Sequence, residues 1–257
     1  MPGTEIGVVT FGRRVFVARQ SMENALITLA VGLGPAGTVS HRIFARYAER
    51  HGMAFEVFDR EVFKLRPNWF RKRRVGYHLE KFQLYGAFER YRRILFLDSD
   101  ILLAPDCPNL FDLVPEDRFG CVYDDTGADA WKRKEELIRL GARLGRLPAG
   151  NPRYFNSGVM VLGPRHREIF AMRQAEVFRG RWPEQTLLNH RVLAGDYAVH
   201  ELPPEYNFMP IAPDWEDDTT RRAAKVVHYA GRGTRQTMAR DFAVFAKDWG
   251  RGGSGLR

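Results

Sequence analysis

The sequence predicts an α/β fold: one mostly parallel sheet with helices on both faces, built as a single domain over residues 1–249 and followed by a tail at 250–257. Three observations carry that expectation. Short apolar runs of strand length alternate with longer segments of helical spacing along the chain. No internal repeat or linker interrupts them; only Gly250–Arg257 (GRGGSGLR) has linker composition. The 257 residues are 44% hydrophobic and 12% aromatic, enough to bury a large core, which excludes a disordered chain.

Glu5–Phe11 (EIGVVTF), closed by Gly12, reads as a buried first strand. Ala25–Leu33 is the longest apolar-leaning stretch, but it carries Thr28 and Gly32 and falls far short of the roughly 18 residues of a membrane span. Met1 leads within a few residues to Glu5 without a leader pattern, so a cytoplasmic location is expected. Ser40–His51 has Ile43, Phe44 and Tyr47 at helical spacing and stops at Gly52; Met53–Phe58 alternates as a second strand. Tyr77–Tyr91 is predicted as a long amphipathic helix, its stripe Leu79, Phe82, Tyr85, Phe88 and Tyr91 spaced three apart, with Gly86 as the residue against it. Arg93–Leu97 is an apolar strand that ends directly at Asp98. Phe119–Tyr123, Asn156–Leu162 and Lys225–His228 read as further strands, and Ala128–Leu144, Arg165–Arg179 and Glu184–Leu193 as helices.

The net charge of +9 is carried overwhelmingly by arginine. Arginine suits bidentate phosphate contacts, which favours an anionic ligand; a solvated basic surface is the equal alternative. The densest basic run, Arg71-Lys72-Arg73-Arg74, suits a phosphorylated acceptor, a peripheral membrane contact or a solvated loop. Cys107 and Cys121 form no CxxC pair and read as buried apolar residues.

The sharpest signal is ILFLDSDILL, Ile94–Leu103. An apolar strand that suddenly delivers Asp98 and Asp100 breaks its own pattern at a cost of several kcal/mol unless something compensates. Positions i and i+2 of a strand project from one face, so both carboxylates can reach one ion, at the sheet edge where α/β folds collect ligands. A solvated turn is the alternative, and apolar runs on both sides weigh against it.

Lys81–Leu103 (KFQLYGAFERYRRILFLDSDILL) resembles the retaining glycosyltransferases that include glycogenin and the bacterial lipopolysaccharide galactosyl- and glucosyltransferases, glycosyltransferase family 8. YFNSGVMVL (154–162), PEQTLLN (183–189), LPPEYNFM (202–209) and VVHYAG (226–231) are similar to that family's later segments, in the same order. The resemblance implies a GT-A, Rossmann-like fold and a metal-dependent transfer of a hexose from a UDP-sugar, with retention, to an acceptor that is a saccharide, a lipid-linked glycan or a protein. It implies Asp98, Asp100 and His228 as ligands of Mn²⁺ or Mg²⁺, with Mn²⁺ the better match to a site containing histidine. It places Asp98, Ser99 and Asp100 at the donor diphosphate, Asn156 and Ser157 at the sugar and Gly231 at the phosphates; Lys81 could reach the diphosphate, and Arg232 or Arg235, beside Thr234, could stand in as a phosphate donor group. Thr10, Phe11 and Gly12 would end the strand that seats the nucleotide. Gln185 and Glu184 would lie near the reacting carbon, and Asp125, with Asp124, near sugar or acceptor; a turn or cap role suits the two aspartates equally. Lys81 could also simply cover a helix face with its stem.

Three departures from the family pattern stand out. Glu184 replaces the usual Asp, Thr234 stands where the family commonly has Lys, and Val-Thr-Phe-Gly replaces the usual first-strand ending. Two other functions share some features. A haloacid-dehalogenase-type phosphatase also presents Asp-x-Asp after an apolar strand, but near the N-terminus and with Thr or Val where Leu102 stands. A nucleic-acid binder would use the charge, but no DNA- or RNA-binding motif accompanies it, so no specific nucleic acid is expected.

Overall fold

The computed structural model of the chain describes residues 24–33, 38–63, 77–146, 150–231 and 233–251. Its strands are β1 (Asn24–Leu29), β2 (Ala54–Phe58), β3 (Arg93–Leu97), β4 (Ile101–Leu103), β5 (Phe119–Cys121), β6 (Val159–Leu162), β7 (Val199–Glu201) and β8 (Val226–His228). Its α-helices are α1 (His41–Arg50), α2 (Leu84–Ala87), α3 (Leu110–Leu113), α4 (Ala130–Leu144), α5 (Pro183–Ala194), α6 (Asp218–Ala223) and α7 (Arg235–Arg251). Six strands form one sheet in the order β2-β1-β3-β6-β5-β7, while β4 and β8 pair antiparallel as a separate two-stranded sheet. Among the described strands of the large sheet, only β6 runs against its neighbours; β1 pairs parallel with β2 and β3, and β5 with β7. The α/β, mostly parallel expectation is met.

Both faces of this sheet are covered, which is why its strands read as continuous apolar runs. Leu26, Leu95, Leu97, Val159 and Val161 face α1, β4, β8 and α7. Their neighbours in sequence, Ala25, Ile27, Ile94, Phe96, Met160 and Leu162, face α2 and α5. The α7 helix is tied to β4 at its far end, where the Trp249 indole N–H donates to the Leu103 carbonyl at 2.8 Å. Gly52, as expected, ends the turn after α1 with a φ of +65°.

Several expectations are corrected. The described strand nearest the N-terminus is Asn24–Leu29, a segment weighed from sequence only as a membrane candidate; Glu5–Phe11 lies outside the described residues, as do the run at 71–74 and most of the 250–257 tail. Tyr77–Tyr91 is not one α-helix: Tyr77–Gln83 is 3-10 helix, followed by the single turn of α2. A stripe spaced three apart is the 3-10 period, since that helix has three residues per turn. Arg165–Arg179 is likewise 3-10 helix at Pro164–Phe170 and again at Gln174–Glu176, with irregular backbone between. Among the described residues, no helix is long and apolar enough to cross a membrane.

His166, in the 3-10 segment after β6, carries a stability prediction. Its ring is fully buried, and its Nδ1 accepts the Gly163 N–H at 2.8 Å. Burial, aided by Arg165, lowers its pKa to about 4 from an ordinary 6.5. The unfolded chain therefore binds the proton first: stability is fully present above pH 6.5 and is lost as pH falls from there towards 4. Urea denaturation at pH 7.5 and 4.5 should show the wild type losing about 2–3 kcal/mol more than His166→Asn, which keeps an acceptor for Gly163. Equal losses would mean that His166 is not held neutral.

Candidate active site

The Asp98–Asp100 segment is the turn at which the chain leaves one sheet for the other. Asp98 N–H still follows the β3–β6 ladder and donates to Gly158 O at 2.8 Å. Two residues later the Asp100 carbonyl accepts from Tyr229 N–H at 2.8 Å, and Ile101 stands opposite His228 in the β4–β8 register. Between them the Ser99 carbonyl is pinned by Ser40 Oγ at 2.7 Å. The carboxylates therefore converge because a turn joins two sheets, not because one strand continues through them, as the i, i+2 argument assumed. That register brings His228 Nε2 to 3.2 Å from Asp100 Oδ1 and 3.9 Å from Asp98 Oδ2. One ligand atom from each of Asp98, Asp100 and His228 lies within 4.8 Å of the others. The imidazole is buried, whereas the Asp100 side chain is 45% exposed, so the cluster opens to solvent on its carboxylate side. Burial opposes charge on His228, but its attraction to Asp100 outweighs it and raises the His228 pKa. A divalent cation would displace that proton.

Lys81 is the electrostatic counterweight. It is only 1% exposed, and its Nζ lies 3.1 and 3.2 Å from the two Asp98 oxygens, 3.5 Å from Glu184 Oε1, and within hydrogen-bond range of both Ser157 oxygens. Burial alone would discharge it; the Asp98 and Glu184 carboxylates more than compensate and raise its pKa. It is thus more than a stem covering a helix face. Glu184 is buried beside it, and burial raises its pKa against the pull of Lys81. Gln185 turns its Oε1 to Ser157 N–H at 3.0 Å and Ser157 Oγ at 3.2 Å. Lys81, Asp98, Ser157, Glu184 and Gln185 therefore form one connected group.

Both Glu184 and Gln185 lie in the first turn of α5, which is buried along nearly its whole length. Glu136 on α4 holds that turn: its carboxylate accepts from Arg181 N–H at 2.6 Å, Trp182 N–H at 3.1 Å and Thr186 Oγ1 at 2.8 Å. This is an acidic group placed at a helix N-terminus, supplied by another helix. Asn189, one turn further on, clamps Phe155 by accepting from its N–H at 2.8 Å and donating to its carbonyl at 2.9 Å, as a strand neighbour would. The 183–189 and 154–162 segments are thereby bound to each other. Neither Glu136 nor Asn189 was singled out from sequence. The signal for Glu136 was its place among the inward positions Arg133, Glu136, Leu137 and Leu140 of α4, where a surface residue does not belong.

Asp124 and Asp125 are drawn into local ion pairs. Asp124 meets buried Arg133 at 2.7 Å, and burial nevertheless pushes its pKa up to about 6. Asp125 accepts from Tyr154 N–H at 2.9 Å and Arg153 Nε at 2.8 Å. Asn156 turns its Oδ1 to Gly158 N–H at 2.8 Å. Gly158 itself is required beside His228: a Cβ there would stand 2.2 Å from His228 Cε1. After His228, Gly231 adopts a φ of +96°, and Thr234 turns inward to donate to Tyr229 O at 2.5 Å, so its hydroxyl is engaged within the loop. Arg235 is exposed at the start of α7. Thr10, Phe11, Gly12 and Arg232 lie outside the described residues.

This fold has counterparts. The chain aligns with a galactosyltransferase, LgtC, solved with donor and acceptor sugar analogues, at 18% identity and a TM-score of 0.53 over 87% of this chain and 95% of that one. It aligns with a glycosyltransferase involved in glycosylation of the major capsid of PBCV-1 at 14% identity and a TM-score of 0.54, covering 86% and 99% of the two chains. The bifunctional glycosyltransferase WbbM gives 15% identity and a TM-score of 0.54 over 93% of this chain and 52% of that one. At these identities the likeness establishes a shared GT-A fold. No curated protein sequence matches the chain. The model of glycosyl transferase family 8 matches residues 37–234, a span that begins before α1 and runs past His228, so the chain belongs to that family and is a glycosyltransferase.

Proposed function

We propose that the enzyme moves a hexose from a UDP-sugar to an acceptor hydroxyl with retention of configuration, using a divalent cation, Mn²⁺ in preference to Mg²⁺, held by Asp98, Asp100 and His228. The observation that carries this reading is the convergence of those three side chains, open on the carboxylate side and backed by the buried charge of Lys81. Two carboxylates and an imidazole fit a cation of intermediate hardness. A cation held there would supply positive charge to the diphosphate as the bond to the sugar breaks. Family membership displaces the phosphatase alternative.

The chain's own residues support the remaining roles. Lys81 orients Asp98 by touching both of its oxygens. The nucleotide is assigned to the carboxyl end of β1, at Ala30–Gly32, because β1 runs parallel to β3 and ends beside it. Gly231 and Arg235, at the entrance to α7, remain the proposed phosphate contacts, and Asn156 and Ser157 the sugar contacts. Glu184, engaged by Lys81 and Ser157, is poorly placed to form a covalent ester, which supports attack from the leaving-group face beside Gln185. The acceptor's chemistry is left open.

The test is turnover of UDP-hexoses with Mn²⁺, followed by proton NMR of the product's anomeric signal. An α-linked product from an α-linked donor is expected. Gln185→Ala should be slowed by about a hundredfold or more without losing all activity. A β-linked product would overturn retention, and turnover unaffected by chelation would overturn the metal.

A further inference from the structure

Asn207 lies in the 202–209 segment, outside the ligand set and the group around Lys81, yet it is 2% exposed and touches His228. Its surroundings impose a direction. A backbone N–H can only donate, so the contact of Gly158 N–H with Asn156 at 2.8 Å fixes that side chain's oxygen in place. Asn207 approaches the same oxygen at 3.1 Å and must present its Nδ2 there. Its Oδ1 then points the other way, 2.9 Å from His228 Nδ1. An amide oxygen only accepts, so the hydrogen of that contact sits on Nδ1. Nε2, the nitrogen nearest Asp100 and Asp98, is therefore the one whose lone pair is offered once a cation takes the place of its proton.

Backbone pairing holds this arrangement in register. Phe208 bridges Val227, with His228 N–H donating to Phe208 O at 2.8 Å and Phe208 N–H to Val226 O at 2.9 Å. Gly158 contributes twice: its carbonyl accepts from Asp98 N–H, and its N–H starts the chain that ends at His228. One peptide segment thus orients two of the three ligands.

We propose that Asn207 is a positioning residue of the metal site, passing the polarity of the Gly158 N–H through Asn156 to His228 so that Nε2 is the nitrogen offered to the cation. The inference rests on the reading that Asp98, Asp100 and His228 bind a divalent cation. Partners that orient a metal-bound histidine typically change affinity by about ten- to a hundredfold when removed.

Titration with Mn²⁺ alone, followed by the electron paramagnetic resonance of the free ion, tests it. Asn207→Leu should bind Mn²⁺ about ten- to a hundredfold more weakly than wild type, while Asn207→Asp, which keeps an acceptor for Nδ1 but loses the donor to Asn156, should lose clearly less. Wild-type affinity in Asn207→Leu, or equal losses in both variants, would overturn the inference while leaving the metal site standing. A wild-type protein that binds no Mn²⁺ would overturn the metal site and the inference with it. If Asn207→Leu does not fold, the wild-type imidazole decides. At saturating Mg²⁺, nitrogen-15 NMR should show His228 protonated on Nδ1 and bare on Nε2, and a proton on Nε2 would overturn the proposal.

Discussion

Asp98→Ala and Asp100→Ala are each expected to abolish saturable Mn²⁺ binding and to lower donor turnover by at least about a thousandfold. A bound cation contributes several kcal/mol to stabilising the charge of a departing phosphate, and each 1.4 kcal/mol is about tenfold in rate. Neither change should unfold the protein, because the Asp98 and Asp100 side chains are 25% and 45% exposed and the apolar residues of β3 and β4 stay in place. The two variants should differ in stability. Asp98→Ala removes the nearer partner of buried Lys81 and leaves it Glu184 at 3.5 Å, so its melting temperature should fall further than that of Asp100→Ala. Calorimetric Mn²⁺ titration and UDP release assays read both effects. If both variants keep full metal-dependent turnover, the ligand assignment is wrong.

Asp241→Ala should be the most destabilising single change away from the site, by about 3–5 kcal/mol in urea denaturation, because it strands a buried charge. The Asp241 side chain is fully buried on α7 and accepts from Arg221 Nε at 2.7 Å, Arg222 Nε at 2.6 Å and Tyr229 Oη at 2.7 Å. Arg221, 1% exposed, also donates to Trp215 O at 2.6 Å. Stability should return in large part in the double variant Asp241→Leu with Arg221→Met, since apolar groups of similar volume replace buried ion pairs with little loss. The network also matters for function, because Tyr229 follows His228 and its N–H holds Asp100. The single variant should therefore bind Mn²⁺ more weakly as well. A loss below about 1 kcal/mol would mean that the pair is far better solvated than its burial indicates.

Much of this site was legible wherever chemistry broke a local pattern. Asp98 and Asp100 interrupt an apolar run, and His228 ends one, so their residue types were conspicuous before their geometry was known. What stayed hidden depends on pairings distant in sequence. The β4–β8 ladder joins Ile101 to His228, and nothing in either segment announces the other. Asn207 and Asn189 were visible as residues, but their roles emerge only when the chain brings Asn156 and Phe155 beside them. One helix assignment failed for a local reason: in 77–91 the apolar spacing of three was there to read, and it is the period of a 3-10 helix, not an α-helix. The strand at 24–29 was missed because a strand buried on both faces shows no alternation, and its apolar run cannot be told from a helix by period.

The most direct measurement is a crystal structure of the protein with Mn²⁺ and UDP, with anomalous scattering recorded at the manganese edge. The expected result is a single manganese peak bonded to Asp98, Asp100 and Nε2 of His228, with the UDP diphosphate in the same coordination shell. UDP held without manganese at those three residues, or a manganese peak elsewhere on the chain, would contradict it.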